Sequence, residues 1–322
     1  MRATAQAQPN IALIKYWGKR DIARNLPAVG SLSVTLDSLW TRTTVEFAAE
    51  SSQDEFTLNN ELQPAMLERV SRCLDSLPLF AARRPAARVT SECNFPVAAG
   101  LASSASAFAA LVQAACDAAG KTLDRQSLAR LAGQASGSAA RSLYGGIVEL
   151  VAGEAQIELH PLASPEEWPL RVVVAVTEPG PKPVGSGEAM KRSAATSPFY
   201  SRWIAQQDGD LDTARRAVQA RDFAALGAIA EHNCLKMHSV MWSSRPPMVY
   251  WNSATMACME RVRLLQQDGE AVFFTIDAGP QLKAVCLPES ERAVAAALQD
   301  VPGVSRIMLT GLGPGARRLD EQ

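Results

Sequence analysis

No apolar run in these 322 residues is long enough to span a bilayer, and the opening MRATAQAQPN lacks the hydrophobic centre of a signal peptide. Membrane partners and secretion are therefore not expected. Net charge is lacking too. With 32 Lys and Arg against 33 Asp and Glu, the formal charge is −1, so no global field draws nucleic acid, and any anionic ligand must be met by a local group of cations. Cysteine is sparse: Cys73, Cys93, Cys116, Cys234, Cys258 and Cys286 form no C-x-x-C, and His160, His232 and His238 do not join them at zinc spacing. That pattern argues against a structural metal and for reduced, mostly buried thiols in a cytoplasmic protein. The two commonest nucleotide signatures, G-x-x-x-x-G-K-[ST] and G-x-G-x-x-G, are missing as well. What remains is a globular composition at a length that suits two domains.

The most informative stretch that is present runs from 94 to 111, NFPVAAGLASSASAFAAL. Small residues around Gly100 lead through Ser103 and Ser104 into an Ala-rich helix. Such a loop lets backbone approach a polyphosphate, the helix N-terminus offers free N–H groups, and the two hydroxyls suit a phosphate or a magnesium ion. The same pattern also describes a plain Ser-capped helix. Residues 10–21, NIALIKYWGKRD, place Lys15, Lys19 and Arg20 beside Tyr16 and Trp17 at the end of an apolar run. This is either a strand end opening onto an anion or a solvated basic turn. In SGSAARSLYGG (136–146), Ser136, Ser138 and Arg141 gather small donors and one guanidinium before a Gly-Gly turn.

Farther along, SLSVTL (31–36) and TRTTVEF (41–47) alternate and are predicted to form one antiparallel pair. HPLASPEEWP, Pro-rich and turn-like, is where a domain boundary is expected, ahead of the buried strand RVVVAVTE (171–178). Residues 179–190 carry Lys182 and Ser186 in a Pro/Gly-rich loop that suits either a lid or a linker. Helical spacing dominates from about 197 to 267. AVFFTIDAGPQLKAVCL (271–287) reads as two strands joined by a turn, with Asp277 where the first one ends. A carboxylate there suits a partly desolvated base, or simply caps its own turn.

Taken in order, NIALIKYWGKRD, SLSVTL, FPVAAGLASSASAFAAL, SGSAARSLYGG, MKRSAATSPFY, NCLKMHS and TIDAGP resemble the mevalonate diphosphate decarboxylases. These belong to the superfamily of galactokinase, homoserine kinase, mevalonate kinase and phosphomevalonate kinase. The similarity runs nearly end to end. It implies a mixed α+β fold with an N-terminal ATP-binding α/β domain (1–170) containing an unusual βαβ crossover. A C-terminal α+β domain (171–322) would follow, with the active site in the cleft between. It implies ATP and magnesium as cofactors, mevalonate 5-diphosphate as substrate, isopentenyl diphosphate as product, and a homodimer. By resemblance Asp277, Lys15 and Arg141 are catalytic, with Arg141 also holding the substrate carboxylate. Tyr16, Lys19, Ser136, Ser138 and Ser186 contact substrate. Pro96, Ala99, Gly100, Leu101, Ala102, Ser103 and Ser104 bind ATP, and Ser103 and Ser104 lie near the metal.

Two departures from the family pattern, Val29-Gly30 in place of a polar pair and Glu188 in the 179–190 loop, leave the substrate's 5-substituent open. A mevalonate 5-phosphate decarboxylase is the nearest alternative, ahead of a mevalonate 3-kinase or a non-catalytic sensor.

Overall fold

The computed structural model describes residues 1–48, 52–95, 101–178, 180 and 183–320. Three sheets carry most of the architecture. The largest has six strands in the order Arg317–Leu319, Arg2–Ala7, Thr41–Ala48, Ala86–Cys93, Glu55–Leu58, Glu61–Leu62. Within it Glu55–Leu58 runs parallel to Ala86–Cys93, and helix α1 (Pro64–Ser76) crosses between them, giving the βαβ unit. Helices α2 (Ser103–Ala118) and α3 (Arg125–Ala135) complete this half. The sheet is covered by α2, whose run of small residues lets it lie close: Ala105, Ala109, Ala110, Ala114 and Ala115 are fully buried.

The second sheet has the order Ile157–Ala163, Ile147–Ala152, Ser31–Thr35, Asn10–Ile14. SLSVTL and TRTTVEF therefore do not pair with each other; they lie in different sheets. The reason is local. Asp37 Oδ1 accepts from Thr310 Oγ1 at 2.7 Å and from the Gly311 N–H at 2.9 Å, which ties the intervening turn to the far end of the chain. The connection is drawn around a corner instead of folding back as a hairpin. Ser31–Thr35, with a partner on either side, is buried at every residue. HPLASPEEWP is also only partly a turn, since His160–Ala163 belongs to a strand. Pro161 is tolerated because this strand is the sheet's edge.

The C-terminal half holds a four-stranded antiparallel sheet, Val272–Ile276, Leu282–Cys286, Arg171–Val176, Arg306–Gly311. Around it pack α4 (Ser186–Thr196), α5 (Tyr200–Ala220), α6 (Phe223–Trp242), α7 (Ser253–Gln267) and α8 (Glu291–Gln299). Ser186 thus opens a helix instead of lying within a loop. The last strand returns to pair with Arg2–Ala7. The two halves share one apolar core: Ile11, Leu13, Leu32 and Val34 from the second sheet meet Val172, Val174, Phe273 and Val285 from the third, with Leu211 and Ala214 of α5 between. Burial of this kind stabilises by about 25 cal/mol per Å² of apolar surface, so this seam is held by the same force as a domain interior. No helix among the described residues is long and apolar enough to cross a membrane.

Candidate active site

A cavity of about 650 Å³ lies between the halves. From the N-terminal side it is lined by Lys15, Tyr16, Lys19, Ala102, Ser103, Ser104, Ser136, Ser138 and Arg141, and from the C-terminal side by Ser186 and Asp277. Leu101 does not line it; its side chain is buried in the shared core. Pro96, Ala99, Gly100 and Lys182 lie outside the described residues.

The reacting end is built where two strands stop. Asn10–Ile14 delivers Lys15, and Val272–Ile276 delivers Asp277. Lys15 Nζ lies 2.8 Å from Asp277 Oδ1, and Lys283 Nζ 3.3 Å from Oδ2. Both lysines are buried, while 24% of the Asp277 side chain faces the cavity. Burial alone would raise the Asp277 pKa, but the two lysines outweigh it and hold the carboxyl well below the usual range. Burial pulls Lys283 below its ordinary value, against the opposing pull of Asp277.

Arg141 is buried, at 2% exposure. Its Nε donates to Asn10 Oδ1 at 3.2 Å and its Nη1 to Ser31 Oγ at 2.6 Å, and it lies over the Tyr16 ring. Burial lowers its pKa to about 10 and pushes the Tyr16 phenol up to about 12. Among the described residues Arg141 meets no carboxylate within salt-bridge distance. A buried guanidinium held only by neutral partners, with a face on a cavity, calls for an anionic ligand. Lys15, Lys283 and Arg141 together set three buried cations against one carboxylate.

At the other end α2 begins without a side-chain cap, behind Ala102 in the left-handed region at φ 54°. Its N-terminus therefore presents N–H groups and a positive dipole to the cavity. The Ser136 hydroxyl lies 3.5 Å from those of Ser104 and Ser138. Lys19 is depressed by burial, then by Lys191 and Arg69.

The sequence matches a diphosphomevalonate decarboxylase-like N-terminal domain over residues 7–160 and a mevalonate 5-diphosphate decarboxylase C-terminal domain over 172–312. The chain belongs to the diphosphomevalonate decarboxylase family. The diphosphomevalonate decarboxylase of Candida albicans is 32% identical, over 99% of this chain and 98% of that one. The crystal structure of mevalonate diphosphate decarboxylase from Staphylococcus aureus superposes with a TM-score of 0.93 at 35% identity, covering 99% of this chain and 98% of that one. A solved structure described as MDDEF in complex with MVAPP, AMPPCP and magnesium gives 0.93 at 35% identity, covering 100% and 99%.

Against the decarboxylase pattern, the two departures become physical statements. Val29 is buried with Trp17 and Met190 and does not line the cavity. At Gly30 a Cβ would lie 2.6 Å from Leu211 and 2.9 Å from the Leu150 carbonyl, so a bulkier pair does not fit here. Glu188 is exposed and lies 3.8 Å from Arg192 one turn along α4, so it meets a cation.

Three sets of residues were not anticipated from this decarboxylase's sequence. Lys283 is one; its signal was a lysine inside an otherwise apolar strand. A second is the lobe of Phe56, Leu58, Met66, Arg69, Ser91, Cys93 and Phe108, drawn from distant segments with no local pattern. The third grips Lys15. Its N–H donates to Asn233 Oδ1 and its carbonyl accepts from Gln207 Nε2, both at 2.8 Å. Asn233 Nδ2 then reaches Gln207 Oε1 at 2.9 Å and Asp210 Oδ2 at 2.6 Å. Asn233→Ala is expected to cost about 1–3 kcal/mol of stability, as a buried donor and acceptor lose their partner. It is also expected to lower kcat by roughly 10-fold by loosening Lys15, with KM for nucleotide unchanged in steady-state kinetics.

His238 is buried at the end of α6, against Trp251. Its Nε2 lies 3.3 Å from the Ile276 carbonyl and 3.2 Å from Trp251 Nε1, and its Nδ1 has no hydrogen-bond partner among the described residues. Burial, then Lys15, lowers its pKa to about 3, so the ring is neutral and structural. The unfolded chain takes up a proton near pH 6.5 that the folded one refuses. Stability from this source is full above that pH and is lost as pH falls toward 3. Melting temperature should drop between pH 7 and pH 5, and more steeply than in His238→Gln.

Proposed function

We propose that this chain uses ATP to convert mevalonate 5-diphosphate to isopentenyl diphosphate, ADP, phosphate and carbon dioxide, a step of the mevalonate pathway. The observation that carries the reading is the contact of Lys15 and Lys283 with Asp277, in one cavity with Arg141 and the uncapped start of α2. Asp277 accepts a hydrogen bond from the tertiary hydroxyl and points it at the γ-phosphoryl group. Its depressed pKa makes it a weak base, which suffices because the hydroxyl becomes strongly acidic only as the O–P bond forms. When the new phosphate departs, the ionised carboxylate stabilises positive charge at C3. Arg141 grips the substrate carboxylate, so that the bond to the departing carbon dioxide lies in line with the leaving phosphate. Lys15 keeps Asp277 ionised and offsets charge on the transferred group.

Tyr16, Lys19, Ser136, Ser138 and Ser186 border the space for the diphosphate. The nucleotide lies with its phosphates on Ala102, Ser103 and Ser104 at the start of α2, and its base in the lobe of Phe56, Met66 and Phe108. Among the described residues no group of three His, Cys, Asp or Glu side chains is placed to hold a metal. The hydroxyls of Ser103 and Ser104 at the cavity suit a magnesium ion that arrives with the nucleotide and takes most of its ligands from phosphate and water. Such an ion offsets phosphate charge. The related complex with AMPPCP and magnesium supports this.

A boundary near 170/171 belongs to the same reading, supported by the gap between the two matched domains. So does a cytoplasmic location, supported by six free thiols, and a homodimer, for which Phe199, Trp242 and Val249 offer exposed apolar surface. Purified protein given ATP, magnesium and either mevalonate 5-diphosphate or mevalonate 5-phosphate should release ADP and carbon dioxide together, with the diphosphate preferred. ADP without carbon dioxide would make it a kinase, and neither would make it a sensor.

A further inference from the structure

Behind the catalytic cleft lies a second, smaller cavity of about 220 Å³, walled by residues 24–27, α3 and the strand pair around 150–157. Its floor is apolar, with Leu26, Leu150 and Ile157 all buried. Its rim carries two guanidiniums. Arg24 Nη2 donates to the Ala155 carbonyl at 2.5 Å, and Arg130 Nε to the Ile157 carbonyl at 3.4 Å. Arg20 joins them on the same turn, bonded to the carbonyls of Ala152 and Gly153. None of the three makes a salt bridge among the described residues. The nearby Asp21 carboxylate accepts from the Arg24 backbone N–H instead. One carbonyl uses one of the five donors of a guanidinium, so most of each fork is left for an anion.

Asn25 stands between the two cavities and lines both, as does Gly137. Asn25 Nδ2 donates to the Gly133 carbonyl at 2.7 Å, while its Oδ1 is buried with no donor among the described residues. A Cβ at position 137 would fall 2.2 Å from the Tyr16 hydroxyl. The wall is therefore one residue thick and rests directly on a side chain of the cleft.

From this geometry we propose a second binding site, distinct from the catalytic cleft, for a short-chain organic phosphate. The anionic head meets Arg24 and Arg130, and the hydrocarbon stem covers Leu26 and Ile157. The product of the reaction proposed above, isopentenyl diphosphate, has this chemistry and serves as the probe; only the choice of cleft blocker rests on that reading.

The test is calorimetric titration of the whole protein, without ATP, with mevalonate diphosphate at the lowest concentration that fills the cleft; the carboxylate and hydroxyl on its stem disfavour it on the apolar floor of Leu26 and Ile157. One equivalent of isopentenyl diphosphate should still bind. Inorganic pyrophosphate, which lacks the stem, should bind at least about 10-fold more weakly. The double variant Arg24→Gln, Arg130→Gln keeps N–H donors for the turn carbonyls but loses the charge. It should bind at least about 10-fold more weakly, with melting temperature, kcat and KM unchanged. Binding that vanishes once the cleft is filled, or that the double variant retains in full, overturns the site. Equal affinity for pyrophosphate means an adventitious ion only and overturns it too. Should mevalonate diphosphate itself fail to bind, the proposed function fails, and the comparison of parent and double variant with isopentenyl diphosphate alone still decides the second site.

Discussion

Asp277→Asn is expected to lower turnover by about 10³-fold, within the range seen when a single charge-stabilising or proton-handling group is removed. The carboxamide keeps the size and one acceptor but not the charge that C3 needs when phosphate departs. Nucleotide affinity should hold within about 2-fold, because the α2 terminus and the Phe56 lobe are untouched. Stability will fall as well. Lys15 and Lys283 lose the carboxylate between them, and breaking a buried pair costs up to about 3–5 kcal/mol. Asp277 is partly exposed to the cavity, so the loss belongs at or below the low end. Turnover is therefore to be measured well below the variant's own melting temperature, as ADP and carbon dioxide released per folded molecule. A variant within about 10-fold of the parent would remove Asp277 from this role.

Arg141→Gln carries the opposite stability signature. The buried guanidinium has Asn10 and Ser31 as partners but no carboxylate within salt-bridge distance among the described residues, so the ligand-free fold bears most of its desolvation cost. Glutamine is neutral and retains donors for both partners. Its kcat/KM for mevalonate 5-diphosphate should fall by about 10²- to 10³-fold, equivalent to roughly 3–4 kcal/mol for one charged contact to the substrate carboxylate. Melting temperature should stay level or rise by about 2–4 °C. Calorimetry and steady-state kinetics on the same preparation read both. Loss of activity together with a collapsed melting temperature would mean that Arg141 holds the fold and not the substrate.

Much of this was legible in one dimension. Lys15 and Asp277 each follow a short apolar run, and a strand end is where a side chain can leave a core and still be held by it. The serines that open α2 and the small-residue content of that helix likewise announce a close approach of backbone to ligand. What sequence could not show depends on contacts remote in the chain. Thr41–Ala48 alternates cleanly, and nothing within it says that Ser31–Thr35 belongs to another sheet; Asp37 reaching Thr310 decides that. Pro161 reads as a turn until the strand is known to be an edge. Asn233 and Gln207 lie on helices whose spacing gives their burial but not their target, the main chain of a residue some two hundred positions earlier.

The apolar seam between the halves has a consequence for anyone wishing to take the enzyme apart. Scission near residue 170 would leave Ile11, Leu32 and Val34 on one fragment and Val172, Phe273 and Val285 on the other, each an unfinished greasy face in water. Fragments made separately would clump, whereas fragments made together in one cell have a reason to find each other. Grafting one half onto a cousin's other half calls for matching those six side chains first, ahead of any residue that touches a phosphate.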